Sequence, residues 1–189
     1  MRKAIFIDRD GTLIKDIPYN SDPALIQLEY YAGEMLYELK RKNYFLIVIS
    51  NQPGLAKGLF KIEDLYKMQL EIRRQLLRYN AQLDGFYYCP HFPDAVIKEY
   101  AVDCDCRKPK PGLLLKAARD FNIDLNASWM IGDILNDVEA GNIAGCKTIL
   151  IDNGNETEWV YDNTRVPNFK VYDLKEAMQS ILKHELEQV

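Results

Sequence analysis

The sequence predicts an α/β fold, a doubly wound parallel sheet with helices on both faces. Three observations carry this. Short runs that are apolar at consecutive positions recur along the chain, as strands buried on both faces require. Between them lie apolar residues spaced three and four apart, the stripe of a helix packed on a sheet. The segments richest in acids, amides and lysine stand where the apolar runs stop, and such sheets bind ligands at the C-terminal ends of their strands.

The elements follow in order. Residues 4–8 read as the first strand, and a helix is expected near Glu34. The gap between Thr12 and that helix is too short for a large cap domain. The second strand is expected at 45–50, and Ile62, Leu65, Met68, Ile72, Leu76 and Tyr79 form a helical stripe. A third strand is expected at 86–89. Leu113, Leu114, Ala117, Ala118 and Phe121 make a shorter stripe, and strands are expected at 129–132 and 148–151. Residues 153–168 are polar and turn-rich and read as a surface loop, before a last strand near 169–171. A terminal amphipathic helix is expected at 174–186, with His184 as an exposed residue. No repeat, low-complexity segment or linker divides the chain, so residues 1–189 read as one domain with an insert at about 89–106.

The first apolar run ends in Asp8-Arg9-Asp10-Gly11-Thr12. Side chains at i and i+2 of extended backbone point the same way, so both carboxylates can address one centre. Gly11 lets the chain turn off the strand, and Thr12 can tie that turn to its own backbone. Later runs end in Ser50-Asn51-Gln52-Pro53-Gly54 and in Gly132-Asp133, with Asp137 four residues on, while Arg107-Lys108-Pro109 precedes a helical stripe. Each segment taken singly also suits a plainer role: an acidic turn, a strand-end cap, a solvated lysine, a helix N-cap.

Cys89-Pro90-His91 and Cys104-Asp105-Cys106 form two close pairs. Three cysteines and a histidine match a closed tetrahedral zinc set, and the segment between the pairs has little periodicity, so few apolar contacts are expected to order it. A disulfide or unrelated buried thiols are the rival readings; the absence of a secretory signal disfavours the disulfide. Cys146, alone between Gly145 and Lys147, reads as a small buried apolar residue.

With these four motifs in this order, the chain resembles the haloacid dehalogenase superfamily of phosphoryl-transfer enzymes. The resemblance implies Asp8 as a nucleophile that forms an aspartyl-phosphate, and Asp10 as the acid and then the base. It implies Ser50 and Asn51 as donors to the phosphoryl oxygens, and Lys108 as fixed positive charge. Mg²⁺ would be held by Asp8, the backbone carbonyl of Asp10 and Asp133, with Asp137 in support. The zinc pairs, together with Asp8-Arg9-Asp10-Gly11-Thr12-Leu13-Ile14 and Cys106-Arg107-Lys108-Pro109, look like the D-glycero-D-manno-heptose 1,7-bisphosphate phosphatases. The histidinol-phosphate phosphatases are similar, with a shorter zinc loop. Family binding positions then fall on Asp16, Tyr19, Gln52, Pro53 and Arg107. Two departures stand out: Ile134 follows the fourth-motif aspartate where some members have lysine, and Lys57 stands where arginine is common. The resemblance therefore implies a phosphatase acting on a small sugar phosphate, with histidinol phosphate or another small ester as the alternative and a zinc-stapled binding module without turnover as the remaining reading.

Composition agrees with a soluble enzyme. The 189 residues are long enough for a sizeable core, and 24 Lys+Arg against 28 Asp+Glu leave a net charge of −4, without the broad positive field of a nucleic-acid binder. No apolar stretch approaches the roughly 20 residues that span a bilayer. A cytoplasmic monomer is the expectation.

Overall fold

A computed structural model describes residues 2–187. Six parallel strands form one sheet: β1 (Lys3–Ile7), β2 (Tyr44–Asn51), β3 (Gly85–Cys89), β4 (Trp129–Gly132), β5 (Lys147–Ile151) and β6 (Phe169–Val171), in the spatial order β3-β2-β1-β4-β5-β6. The helices are α1 (Ala32–Arg41), α2 (Pro53–Ala56), α3 (Ile62–Leu77), α4 (Gly112–Phe121), α5 (Leu135–Ala144) and α6 (Leu174–Glu187). A large cap domain is absent among the described residues, as the short segment before α1 implied.

Alternation along the strands builds two cores. Ile5 and Ile7 of β1 join Leu46, Val48, Trp129 and Ile131 beneath Met35, Leu39, Met68, Ile72 and Ile181 from α1, α3 and α6. Ala4 and Phe6 point the other way, with Ile47, Ile49 and Met130, against Leu114, Ala117 and Ala140 of α4 and α5. The period-two side-chain alternation thus feeds both faces, which is why the runs are apolar throughout.

Strand order reverses between β1 and β4. The chain winds outward from β1 through β2 to β3, then returns to β4 on the other side and winds outward again to β6. Adjacent connections diverge there and leave a crevice at the strand C-terminal ends. Asp8 follows β1 and Asp133 follows β4, and Ile7 pairs with Ile131, so the two carboxylates flank that crevice. Ser50 and Asn51 close β2 on the other side of β1.

Two helices escape the sequence reading, and one expectation needs correction. Helix α5 is missing from the periodicity reading because it has no one-sided stripe: Leu135, Val138, Ala140, Gly141 and Ala144 are buried around much of its circumference. The turn α2 is too short to produce a stripe. His184 is not an exposed residue, because its ring packs edge-on against Trp129 with centroids 5.3 Å apart.

Candidate active site

Lys108 organises the crevice. Its side chain is 3% exposed, and its ammonium sits 2.5 Å from Asp8 Oδ1 and 2.6 Å from Asp137 Oδ1 and donates to the carbonyl of Ile49 at 2.9 Å. Two of its donors are hydrogen-bonded, to Asp8 and to Ile49, and the contact with Asp137 is an ion pair. The backbone that carries it is pinned as well: Asn51 Nδ2 donates to the Lys108 carbonyl and Asn51 Oδ1 accepts the Lys108 N–H, both at 3.0 Å. The side-chain amide of Asn51 was expected to face phosphoryl oxygens; it is spent instead on holding the Lys108 loop against the end of β2.

Asp8, Asp133 and Asp137 bring carboxylate oxygens within 4.8 Å of one another, all three residues buried. Asp133 accepts from Thr12 Oγ1 at 3.1 Å and from Asn155 Nδ2 at 2.7 Å. Thr12 therefore reaches across to β4 rather than back to its own turn. Asn155, on the long loop after β5, was not recognised in the sequence, and neither was Asn153, whose Nδ2 donates to the Gly11 carbonyl at 2.7 Å. Two glycines permit this crowding. Gly11 turns at φ +78°, where an added Cβ would also strike Asp133, and a Cβ on Gly132 would lie 2.2 Å from the Asp137 side chain.

Burial dominates the electrostatics. Desolvation pushes the Asp8 carboxyl well above the ordinary range; Lys108 pulls it back, while Asp137, Asp133 and Asp10 push it further up. Asp133 is driven up to about 7 by burial and then by Asp137, against the hydrogen bonds from Asn155 and Thr12 and the charge of Lys108. Burial alone would lower Lys108, but the charges of Asp137 and Asp8 outweigh it and hold the ammonium above the usual lysine range. Three buried carboxylates against one ammonium leave a deficit of positive charge, and a hard divalent cation fits an all-oxygen cluster of this kind.

Asp10 points elsewhere. Arg9, 4% exposed, lays its guanidinium on the Asp10 carboxylate, Nε at 3.0 and 2.9 Å and Nη2 at 2.8 Å, and Gln52 Nε2 donates to Asp10 Oδ2 at 3.0 Å and to Ser50 Oγ at 2.7 Å. Ser50 is fully buried. A cleft of about 250 Å³ opens beside this group, lined by Arg9, Asp10, Asp16, Tyr19, Gln52 and Pro53 among others. Burial raises the Asp16 carboxyl, Asp10 adds to the shift and Arg9 opposes it. Arg107 stands outside the cleft lining, over the ring of Phe92. A larger groove, of about 810 Å³, opens at the opposite end of the sheet, where β1, β2, β4 and β5 begin, and touches none of these groups.

Cys89, His91, Cys104 and Cys106 converge beside the end of β3. Their ligand atoms all lie within 4.8 Å of one another, with Cys106 Sγ 2.9 Å from Cys89 Sγ and 3.3 Å from both Cys104 Sγ and His91 Nδ1. These separations exceed a sulfur–sulfur bond, and all four cysteines of the chain are free thiols. A set of three sulfurs and one imidazole nitrogen converging on one point fits a tetrahedral zinc site. Cys146 is buried, and burial raises its thiol to about 12.

Sheet, acidic strand ends and buried lysine define a hydrolase of the haloacid dehalogenase type, and a HAD-hydrolase-like family model matches residues 105–177. Named relatives narrow this. D-glycero-beta-D-manno-heptose-1,7-bisphosphate 7-phosphatase of Pasteurella multocida (strain Pm70) is 43% identical over 82% of this chain and 84% of its own. Its Escherichia coli (strain K12) counterpart is 36% identical over 85% and 88%. Among solved structures, D,D-heptose 1,7-bisphosphate phosphatase from B. bronchiseptica, complexed with magnesium and phosphate, superposes with a TM-score of 0.82 at 29% identity, covering 96% of this chain and 99% of that one. The chain belongs to the D,D-heptose 1,7-bisphosphate phosphatase family of the haloacid dehalogenase superfamily.

The carboxylate cluster has a consequence for stability without added magnesium. Asp8 and Asp133 titrate higher in the folded chain than in the unfolded one, so the folded state binds more protons, and stability present at low pH is lost as pH rises towards the folded value of about 7 for Asp133. The melting temperature in magnesium-free buffer therefore falls between about pH 5 and pH 7.5, and saturating Mg²⁺ raises it most at the upper end of that range. A magnesium effect equal at both pH values would contradict the cluster's electrostatics.

Proposed function

We propose that the protein is a Mg²⁺-dependent phosphatase that removes the 7-phosphate of D-glycero-D-manno-heptose 1,7-bisphosphate, as a cytoplasmic step in making nucleotide-activated heptose for surface polysaccharide. The observation that carries this reading is the Lys108 ammonium shared by Asp8 and Asp137 beside Asp133. The names of the relatives support the substrate.

A phosphate monoester is a dianion, and an attacking carboxylate is repelled until cations and hydrogen-bond donors offset the charge. Asp8 supplies the nucleophile: one of its oxygens bonds to phosphorus as the bond from phosphorus to the sugar O7 breaks, leaving an aspartyl-phosphate. Asp10 gives its proton to the departing O7, then takes one from the water that attacks phosphorus and frees Asp8. For this it leaves the Arg9 guanidinium, and Gln52 bridges it to Ser50 meanwhile. Ser50 donates to the phosphoryl oxygens and Lys108 places a fixed charge against them, while Asn51 serves chiefly by fixing the lysine's backbone. Asp16, Tyr19, Gln52 and Pro53 contact the sugar, and Arg107, with its planar fork of donors, meets the phosphate that is retained. Asp8 and Asp133, with the Asp10 carbonyl, would hold Mg²⁺, and Asp137 would keep Lys108 in place beside them. When bound, the ion draws charge from the phosphoryl oxygens.

Cys89, His91, Cys104 and Cys106 would hold Zn²⁺ in a closed site that orders the loop and takes no part in hydrolysis. Free thiols suit the reducing cytoplasm.

Phosphate release measured with heptose 1,7-bisphosphate, histidinol phosphate and p-nitrophenyl phosphate tests the assignment. The highest kcat/KM is expected with the bisphosphate and Mg²⁺, with heptose 1-phosphate as product. Preference for histidinol phosphate, or no turnover of any ester, would contradict it. Asp8→Asn is expected to fold and to lose activity by about 10³-fold or more. Metal analysis of protein purified without added metal is expected to find close to one zinc per chain; well-folded protein without zinc would remove the staple.

A further inference from the structure

Phe92 follows His91, and Arg107 follows Cys106, so each stands next to a candidate zinc ligand. The Arg107 Cζ lies over the Phe92 ring, 4.9 Å from its centroid, and Arg107 Nη1 donates to the His91 carbonyl at 3.3 Å. A second cation shares the ring: Lys57 Nζ lies 4.8 Å from the same centroid. Lys57 comes from the other side of the cleft, just after α2, and its ammonium also donates to the hydroxyl of Tyr19, a residue of the cleft lining. The loop is tied to α2 at this point, since the Ile97 N–H donates to the Ala56 carbonyl at 3.0 Å.

Two cations within 5 Å of one ring centre lie within about 10 Å of each other, inside one screening length at ordinary salt. Among the described residues neither is paired with a carboxylate, whereas Lys40, the other lysine that lies over a ring together with an arginine, is paired with Asp84. Like charges held together without an anion repel, and the negative face of an aromatic ring is the element that offsets this here. A ring shared by an ammonium and a guanidinium holds the two together outside the lining itself, next to Tyr19, the cleft residue that Lys57 reaches, and leaves donors of each for an incoming anion.

We infer that Phe92 is a specificity-determining positioning residue, a platform that holds Lys57 and Arg107 as a two-cation clamp on the phosphoryl group that is not cleaved. This rests on the proposed bisphosphate substrate. The zinc loop then acts on recognition as well as on order, because its ligands His91 and Cys106 fix the ring and the guanidinium. The compact Lys57 ammonium fits against both the Phe92 ring and the Tyr19 side chain.

The test compares two ratios in wild type, Phe92→Leu and Phe92→Tyr. The first is kcat/KM for heptose 1,7-bisphosphate over that for p-nitrophenyl phosphate, which has no second phosphate. The second is the inhibition constant of glucose 1-phosphate against p-nitrophenyl phosphate turnover, which reads the clamp even if heptose bisphosphate is not the substrate. In Phe92→Leu the first ratio is expected to fall, and the inhibition constant to rise, about five- to tenfold, with zinc content retained, and Phe92→Tyr to recover both. Loss of bisphosphate turnover in all three proteins with a weakened inhibition constant in Phe92→Leu alone would sink the substrate and keep the clamp. Unchanged ratios in Phe92→Leu, or equal loss in Phe92→Tyr, would overturn the inference.

Discussion

The arrangement depends on one buried cation. Lys108 contacts Asp8 and Asp137 simultaneously and is itself 3% exposed, so it is the one buried ammonium that both carboxylates face. Removing one member of such a group leaves an uncompensated buried charge, which costs far more than an exposed ion pair contributes. This explains why so much of the surrounding chain is committed to the lysine: Asn51 holds its backbone from β2, Ile49 accepts one of its protons, and Gly132 makes room for Asp137.

The sheet makes this possible at low cost. Because β1 lies between β2 and β4, the residues that follow three neighbouring strands arrive at one crevice without long connections. Parallel register sets Asp8 beside the end of β4 and Ser50 beside the end of β1. The loop that carries His91, Cys104 and Cys106 leaves β3, the next strand out, where the Gln52 N–H donates to the Cys89 carbonyl at 2.8 Å, so the cysteine and histidine set and the partner of Asp10 share one strand edge. The two centres are thus separate in chemistry and joined in scaffold.

Much of this was legible in the sequence because the signals were local. A carboxylate that ends an apolar run is visible as such, and Asp8, Asp133 and the cysteine pairs declared themselves by position and spacing. The residues that escaped notice act at long range. Asn155 reaches Asp133 from a loop whose composition reads only as polar, and Arg9 was hidden between two aspartates, of which it holds Asp10. Helix α5 escaped because burial on several sides erased its stripe, and His184 because nothing in its own helix announces Trp129. Asn51 shows the limit of reading a role from a motif: its amide could face the substrate or the backbone of Lys108, and only the fold distinguishes them.

The central claim is that Asp8, held beside Lys108, becomes covalently phosphorylated. Reduction with borohydride during turnover of the bisphosphate converts an acyl phosphate to an alcohol, and peptide mass spectrometry then locates it. The account predicts homoserine at position 8 and nowhere else, dependent on substrate and Mg²⁺. Homoserine at another carboxylate, or none at position 8 under conditions of full turnover, would contradict it.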